Sequence, residues 1–341
     1  MRVLLTGSSG YIGSVMAKTL VDEGFDVIGC DTGFFEDCNF VEMEYKLPTL
    51  QKDVRDITSQ DLKGFDAVLH LAALSNDPMG DLHPILTDEI NHVASLEIAK
   101  LCKKVGCRRF ILASSCSMYG VSGDRALTEE APFNPASAYA TSKVQSEWDI
   151  SRLADSNFSP TFLRCATAYG VSPKMRFDLV LNNLTGWAFT TGRAHITSDG
   201  TPWRPIVHIE DISRAFLAAL EAPIDVVHNQ AFNVGQNSQN FTVRTIAEIV
   251  KSTIPQCEIE FARGAAPDPR NYRVDFSKIT RMLPEFKPCW TVEKGARELY
   301  DTFKARGLTK EEFESRRYTR LKQLRHLLET GALSEKLRWR A

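Results

Sequence analysis

The sequence predicts an α/β protein, built as a doubly wound parallel sheet with a smaller mixed α/β lobe. Three observations predict it. Short apolar runs alternate with amphipathic stretches through the first half of the chain, the pattern of strands joined by crossover helices. The first of these runs leads directly into a glycine-rich turn and then a helix-like stretch. After Gly170 the alternation breaks down, and Pro, Gly and aromatic residues become frequent between Ser172 and Pro205.

Taken in order, Arg2–Thr6 reads as a strand, Ile12–Glu23 as a helix and Asp26–Cys30 as the next strand. A further strand-like stretch precedes Asp53, and Ala67–Leu71 is another. Glu89–Val105 reads as a helix, Arg109–Ala113 as a strand, Ala138–Asp155 as a helix and Ser159–Arg164 as a strand. Past the break, Pro205–His208 and Ala231–Val234 are strand-like, and Asp211–Ala222 and Phe241–Ile254 helix-like. The loop Ala262–Asn271 is rich in Pro and Gly. These elements assign 1–172 and 206–236 to the sheet domain and 173–205 and 237–302 to the second lobe. Residues 303–341 form a basic C-terminal extension in which Leu321, Leu324, Leu327 and Leu328 fall at helical spacing. A helix packed on the body or on a second subunit is expected there, with its basic face in solvent; an anionic partner for that face is the alternative.

Bulk properties narrow the function classes. The chain has 341 residues, 43% of them hydrophobic and 25% charged, with a formal charge of −2. That is ordinary globular composition and offers no electrostatic reason for a nucleic-acid partner. No apolar run approaches bilayer-spanning length, and Met1–Leu5 leads straight into the first strand, leaving no room for a signal peptide. The 8 cysteines form no C-x-x-C pair and no zinc-like spacing. Reduced thiols in a cytoplasmic enzyme without a bound metal are the expectation.

The turn reads Thr6-Gly7-Ser8-Ser9-Gly10-Tyr11-Ile12-Gly13. Gly7 permits a tight turn, Gly10 lets backbone N–H groups approach a pyrophosphate, and Gly13 lets the helix pack close to the sheet. In its strand–turn–helix context this is the dinucleotide-binding signature of a Rossmann-type domain. Asp31 ends the second strand, where a carboxylate accepts from a ribose diol and repels a 2′-phosphate, favouring NAD over NADP. Asp53 and Val54 stand where the adenine edge could be held.

A second pattern carries chemistry. Tyr139-Ala140-Thr141-Ser142-Lys143 places a tyrosine and a lysine on one helix face. A free tyrosine, with a pKa of about 10, is too weakly acidic to serve as a base at neutral pH; a nearby ammonium stabilises the phenolate. Ser115 lies just past the Arg109–Ala113 strand, at the strand end where open α/β sheets bind ligands. Its hydroxyl can hydrogen-bond an oxygen that becomes a carbonyl.

With TGSSGYIG, HLAA (His70–Ala73), SSCSMYG, YATSK and LRCATAYG (Leu163–Gly170) in this order, the chain resembles the extended short-chain dehydrogenase/reductase family. The resemblance is to its branch of NAD-dependent nucleotide-sugar epimerases and dehydratases, and covers roughly Met1 to Leu299. It implies that Ser115, Tyr139 and Lys143 act together on a sugar hydroxyl. It further implies cofactor contacts at Gly7, Gly10, Tyr11, Ile12, Gly13, Asp31, Asp53, Val54, Leu71, Ala72, Ala73, Asn91, Tyr139 and Lys143. Arg204 and Arg270 resemble the arginines that grip the nucleotide diphosphate, and Thr167, Arg176 and Asn183 would line the substrate pocket. A homodimer through helices flanking the Tyr–Lys helix is common among such relatives.

Departures from the family pattern bear on the reaction. Sugar 4,6-dehydratases carry an Asp-Glu pair where this chain has Cys116 and Ser117, and the related decarboxylases a glutamate at the Ser117 position. The 3,5-epimerising relatives use a cysteine at the Ser117 position, one residue away from Cys116. In many 4-epimerases an asparagine stands where Thr167 is found. The expectation is a C4 epimerase that oxidises a sugar hydroxyl to a keto intermediate and returns the hydride. The alternative within enzymes is a ketoreductase or dehydrogenase that releases its cofactor. A non-enzymatic binding module on the same fold predicts a damaged Ser–Tyr–Lys set, and all three residues are present.

Overall fold

The computed structural model describes residues 1–43, 45–121, 125–262, 264 and 270–340. Most of the Pro- and Gly-rich loop expected over Ala262–Asn271 therefore lies outside the described residues.

The central sheet is parallel and contains β1 (Arg2–Thr6), β2 (Asp26–Asp31), β3 (Thr49–Gln51), β4 (Ala67–His70), β5 (Arg109–Ser115), β6 (Ser159–Cys165) and β10 (Gln230–Val234). Their spatial order is β10-β6-β5-β4-β1-β2-β3. The strands predicted in the first half are all present with ends shifted by at most two residues. The near-continuous apolar runs follow from burial on both faces: Val3, Leu4 and Leu5 of β1 are all inaccessible to solvent. They divide between two cores, Val3 and Leu5 packing with α1 (Gly13–Asp22) on one side and Leu4 joining the opposite layer.

Chain order reverses between β1 and β4. The strand ends there open a crevice, the usual ligand site of doubly wound sheets. Asp31 at the end of β2 and Ser115 at the end of β5 stand at the same edge.

Two further helices frame that edge. The stretch predicted as one helix over Glu89–Val105 begins with a π turn, Glu89–Val93, before α2 (Ala94–Val105). The Tyr–Lys helix is α3 (Ala138–Ser151), capped by the Ser137 hydroxyl, which accepts from Ala140 N at 3.1 Å. A buried ion pair ties α3 to β6: Arg164 Nη2 meets Glu147 Oε2 at 2.7 Å, and Arg164 also donates to the Tyr119 hydroxyl.

The remaining elements are β7 (Thr167–Tyr169), α4 (Val180–Thr191), β8 (Arg193–Ile196), β9 (Trp203–His208), α5 (Ile209–Glu221), β11 (Asn240–Thr242), α6 (Val243–Thr253), β12 (Glu258–Phe261) and α7 (Val292–Arg306), with α5 packing onto the central sheet core. Strand β9, predicted as Pro205–His208, pairs with β7 and β11 in a separate small sheet rather than joining the central one. Periodicity reads strand character but not the partner strand. The C-terminal leucines form α8 (Arg320–Glu329), which packs on the body, Leu324 being buried beside Phe34 and Val54. No helix among the described residues is long and apolar enough to cross a membrane.

Candidate active site

One cavity of about 650 Å³ runs along the carboxyl edge of the sheet, within the size range of small-molecule sites. One end is walled by Gly7, Gly10, Tyr11, Ile12, Gly13, Asp31, Asp53, Val54, Leu71, Ala72 and Ala73. Ser115, Tyr139 and Lys143 also line the cavity, as do Thr167, Arg176, Asn183, Arg204 and Arg270. Residues from distant parts of the chain therefore meet as the motifs predict, with one exception.

The exception is Asn91, which lies off the cavity wall. Its carboxamide is fully buried: Oδ1 accepts from Leu74 N at 2.8 Å, and Nδ2 donates to Leu74 O and to the Ser142 hydroxyl, both at 3.1 Å. All its polar capacity goes to joining the loop after β4 to α3. The cofactor contact that the resemblance implies for Asn91 is therefore not among the cavity-lining groups, and its side chain instead joins the loop after β4 to α3.

The glycine turn has the geometry its spacing implies. Gly7 has φ +72, and a Cβ on it would stand 2.9 Å from Ala72 N. A Cβ on Gly13 would reach within 2.1 Å of the Gly7 carbonyl oxygen. Only glycines leave the backbone this close and the cradle open. Asp31 is held from the same turn: Ser9 N donates to its Oδ2 at 3.0 Å and Gly33 N to its Oδ1 at 2.9 Å. Desolvation raises its pKa and those two donors oppose the rise. Asp53 faces the same end, but its carboxylate is gripped by Arg55, Nη2 to Oδ2 at 2.7 Å.

At the centre, desolvation pushes the Tyr139 phenol up to about 12, with the Ser115 hydroxyl hydrogen-bonding it in the opposing sense. Desolvation brings the buried Lys143 ammonium down to about 8. Lys143 Nζ donates to Ala113 O at 2.7 Å and lies 5.9 Å from the Tyr139 ring centroid. Burial therefore governs the tyrosine, and the favourable partner is the Ser115 hydroxyl rather than the expected lysine.

Next to this trio, Cys116 turns into the core, its thiol donating to Arg164 O at 3.1 Å and pushed well up by burial. Ser117 lines the cavity, and its buried hydroxyl has no hydrogen-bond partner. Neither position supplies an acid to the cavity.

Arg176 pairs with Asp178 (Nε to Oδ1, 2.9 Å) and donates to the Ser75 hydroxyl at 3.2 Å. Arg204 is buried and donates to the Arg270 carbonyl, and Arg270 Nη1 meets Asp77 Oδ2 at 3.1 Å. Asp77 also accepts from Ser137, the cap of α3, so the Arg204–Arg270 pair is connected to the start of the Tyr–Lys helix. Asn183 donates to Phe177 O at 2.7 Å. Sequence reasoning missed Tyr272, Phe34, Phe35 and Arg320, which also line the cavity. None belongs to a spaced motif, and only the tertiary fold delivers them.

The fold and cavity define an enzyme of the NAD dependent epimerase/dehydratase family, whose family model matches residues 3–235; the chain belongs to that family. Among curated relatives, it is 29% identical over 309 residues to UDP-glucose 4-epimerase of Corynebacterium glutamicum, covering 86% of this chain and 91% of that one. UDP-glucuronic acid decarboxylase 1 of Arabidopsis thaliana is 26% identical over 323 residues, covering 92% and 72%. Among solved structures, an NAD dependent NDP-hexosamine 5,6-dehydratase of tunicamycin biosynthesis superposes with TM-score 0.79 at 24% identity, covering 89% of this chain and 98% of that one.

Proposed function

We infer that the protein is an NAD-dependent nucleotide-sugar epimerase acting at C4. The observation that carries the reading is the pairing of an intact Ser115–Tyr139–Lys143 set with a cavity in which positions 116 and 117 offer no acid. Elimination of water or loss of a carboxylate would call for such a group. Reversible oxidation of a hydroxyl does not.

The residues fit a bound dinucleotide. The glycine cradle would be filled by any added Cβ, it opens onto the N-terminus of α1, and Asp31 stands at the ribose end. Bound NAD supplies reversible hydride acceptance. Tyr139 accepts the proton of the sugar hydroxyl through its phenolate oxygen and gives it back after the ring turns over. Ser115 shares the hydrogen bond to that oxygen, and the Lys143 ammonium adds positive charge on the same wall. Arg204 and Arg270 stand where they can hold the substrate diphosphate by bidentate hydrogen bonds, and Thr167, Arg176 and Asn183 border the sugar.

Incubating the protein with UDP-, GDP-, TDP-, CDP- and ADP-sugars, with products read by NMR and bound nicotinamide assayed, tests the reading. A sugar inverted at C4 without net consumption of cofactor is expected. Stoichiometric use of free NAD(P)H would instead make the protein a ketoreductase or dehydrogenase.

A homodimer through the α2 and α3 faces belongs to the same proposal. Trp148 on α3 is 61% exposed and Val93, just before α2, is 44% exposed. Trp148→Glu is expected to convert a dimer to a monomer in light scattering; a wild-type monomer would refute the arrangement.

A further inference from the structure

The C-terminal extension returns to the cofactor end of the cavity. Thr319, Arg320, Leu321 and Leu324 line it together with Phe34 and Phe35. Arg320, expected on a solvated basic face, is only 3% exposed. Its Nη2 donates to Lys174 O at 2.7 Å and its guanidinium lies 4.2 Å from the Phe35 ring centroid. Its Nη1 is buried and has no hydrogen-bond partner. Asp31, Asp178, Arg176 and Cys38 surround it electrostatically, and burial brings it down to about 10, leaving it a cation at neutral pH.

Arg320 is also the first residue of α8, and no side chain caps that helix end. A helix N-terminus carries partial positive charge and N–H donors aimed outward. An unpartnered guanidinium nitrogen and an uncapped helix start in one cavity wall make an anion site. The cavity already contains the glycine turn, where a diphosphate would lie.

The remainder of the tail fastens this wall down. Arg55 donates to the carbonyls of Lys336 and Leu337, at 2.9 and 3.0 Å. Arg338 pairs with Asp53 at 3.4 Å and with Asp56. Trp339 Nε1 donates to Thr32 O at 2.7 Å, and its ring meets Phe34 edge-on at 5.7 Å. The tail thus grips the segments after β2 and β3 that form the adenosine end.

We propose that Arg320 and the start of α8 bind the diphosphate of the dinucleotide from the side opposite the glycine turn, so that the C-terminal extension clasps the cofactor and slows its release. The proposal rests on the NAD reading above. It assigns the phosphate to the diphosphate rather than to a 2′-phosphate because Asp31 occupies the ribose end.

The test uses the full-length chain stripped of nucleotide. NADH binding is followed by fluorescence titration and stopped-flow release, with ADP-ribose and adenosine as competitors. Arg320→Met is expected to weaken NADH and ADP-ribose by about 10- to 100-fold, the range for a charge-assisted hydrogen bond, and to leave adenosine unchanged. Trp339→Ala, at a half-exposed residue off the cavity wall, is expected to speed NADH release several-fold while the protein stays folded. The proposal is overturned if Arg320→Met leaves ADP-ribose binding within twofold or weakens adenosine equally. Failure of the wild type to bind NADH or ADP-ribose at all would instead remove the cofactor reading on which the proposal stands.

Discussion

Replacing Gly13 with alanine tests the cofactor cradle with a single methyl group. Its Cβ would lie 2.1 Å from the Gly7 carbonyl oxygen and 2.9 Å from both the Gly7 carbonyl carbon and Ser8 Cα. All three are backbone atoms, so no rotamer change can relieve the contact. The turn and α1 must separate by about 1 Å, a displacement that costs on the order of 100-fold where groups are positioned for a ligand. Overpacking of this kind destabilises by about 1–3 kcal/mol, offset by about 1 kcal/mol from the better helix propensity of alanine. Gly13→Ala is therefore expected to fold with modest loss of stability and to bind NADH about 100-fold more weakly. Gly24→Ala is the control. Nothing lies within 4 Å of the added Cβ, and the strain of φ +81 is its main effect, a cost of about 1–2 kcal/mol with NADH affinity unchanged. Fluorescence titration beside urea denaturation separates the two quantities. If Gly13→Ala binds NADH within threefold of wild type, the close approach of α1 to the turn is not what forms the cradle.

Three further predictions concern the centre of the cavity and the ion pair that ties α3 to β6. Tyr139→Phe is expected to lower turnover by about 10²- to 10⁴-fold with NADH affinity unchanged; full turnover of the identified substrate would remove Tyr139 from the mechanism. Lys143 falls from 10.5 to about 8 on folding, so between these pH values the unfolded chain holds the proton that the folded chain releases. Wild-type stability then rises with pH across that window, by about 3 kcal/mol in all, and Lys143→Met, inactive, is expected to lack this rise when denaturation is followed from pH 8 to 10.5. Glu147→Ala strands the buried Arg164 guanidinium, and a loss of about 3–5 kcal/mol is expected in urea denaturation; a loss below 1 kcal/mol would mean that water reaches the arginine.

The motif residues were legible because their signals are local. A glycine turn between strand and helix, a carboxylate ending the next strand and an i, i+4 Tyr–Lys pair each depend on backbone geometry set over a few residues. Asn91 shows where such signals stop: its place along a helix is visible in sequence, but its hydrogen bonds to Leu74 and Ser142 are not. The Tyr–Lys pair shows the same limit in its chemistry: spacing places both on one face, whereas burial sets their proton affinities.

By itself, the sequence determined the parallel α/β architecture, the strand carrying each motif and the family to which the chain belongs, since strand periodicity and glycine spacing are properties of neighbouring residues. Only the tertiary structure decided that β9 leaves the central sheet, that the Asn91 side chain is taken up by Leu74 and Ser142, and that Arg320 is buried in the cavity wall. Each depends on which surfaces meet between segments well separated in sequence, and burial rather than local pattern decides what a side chain does there.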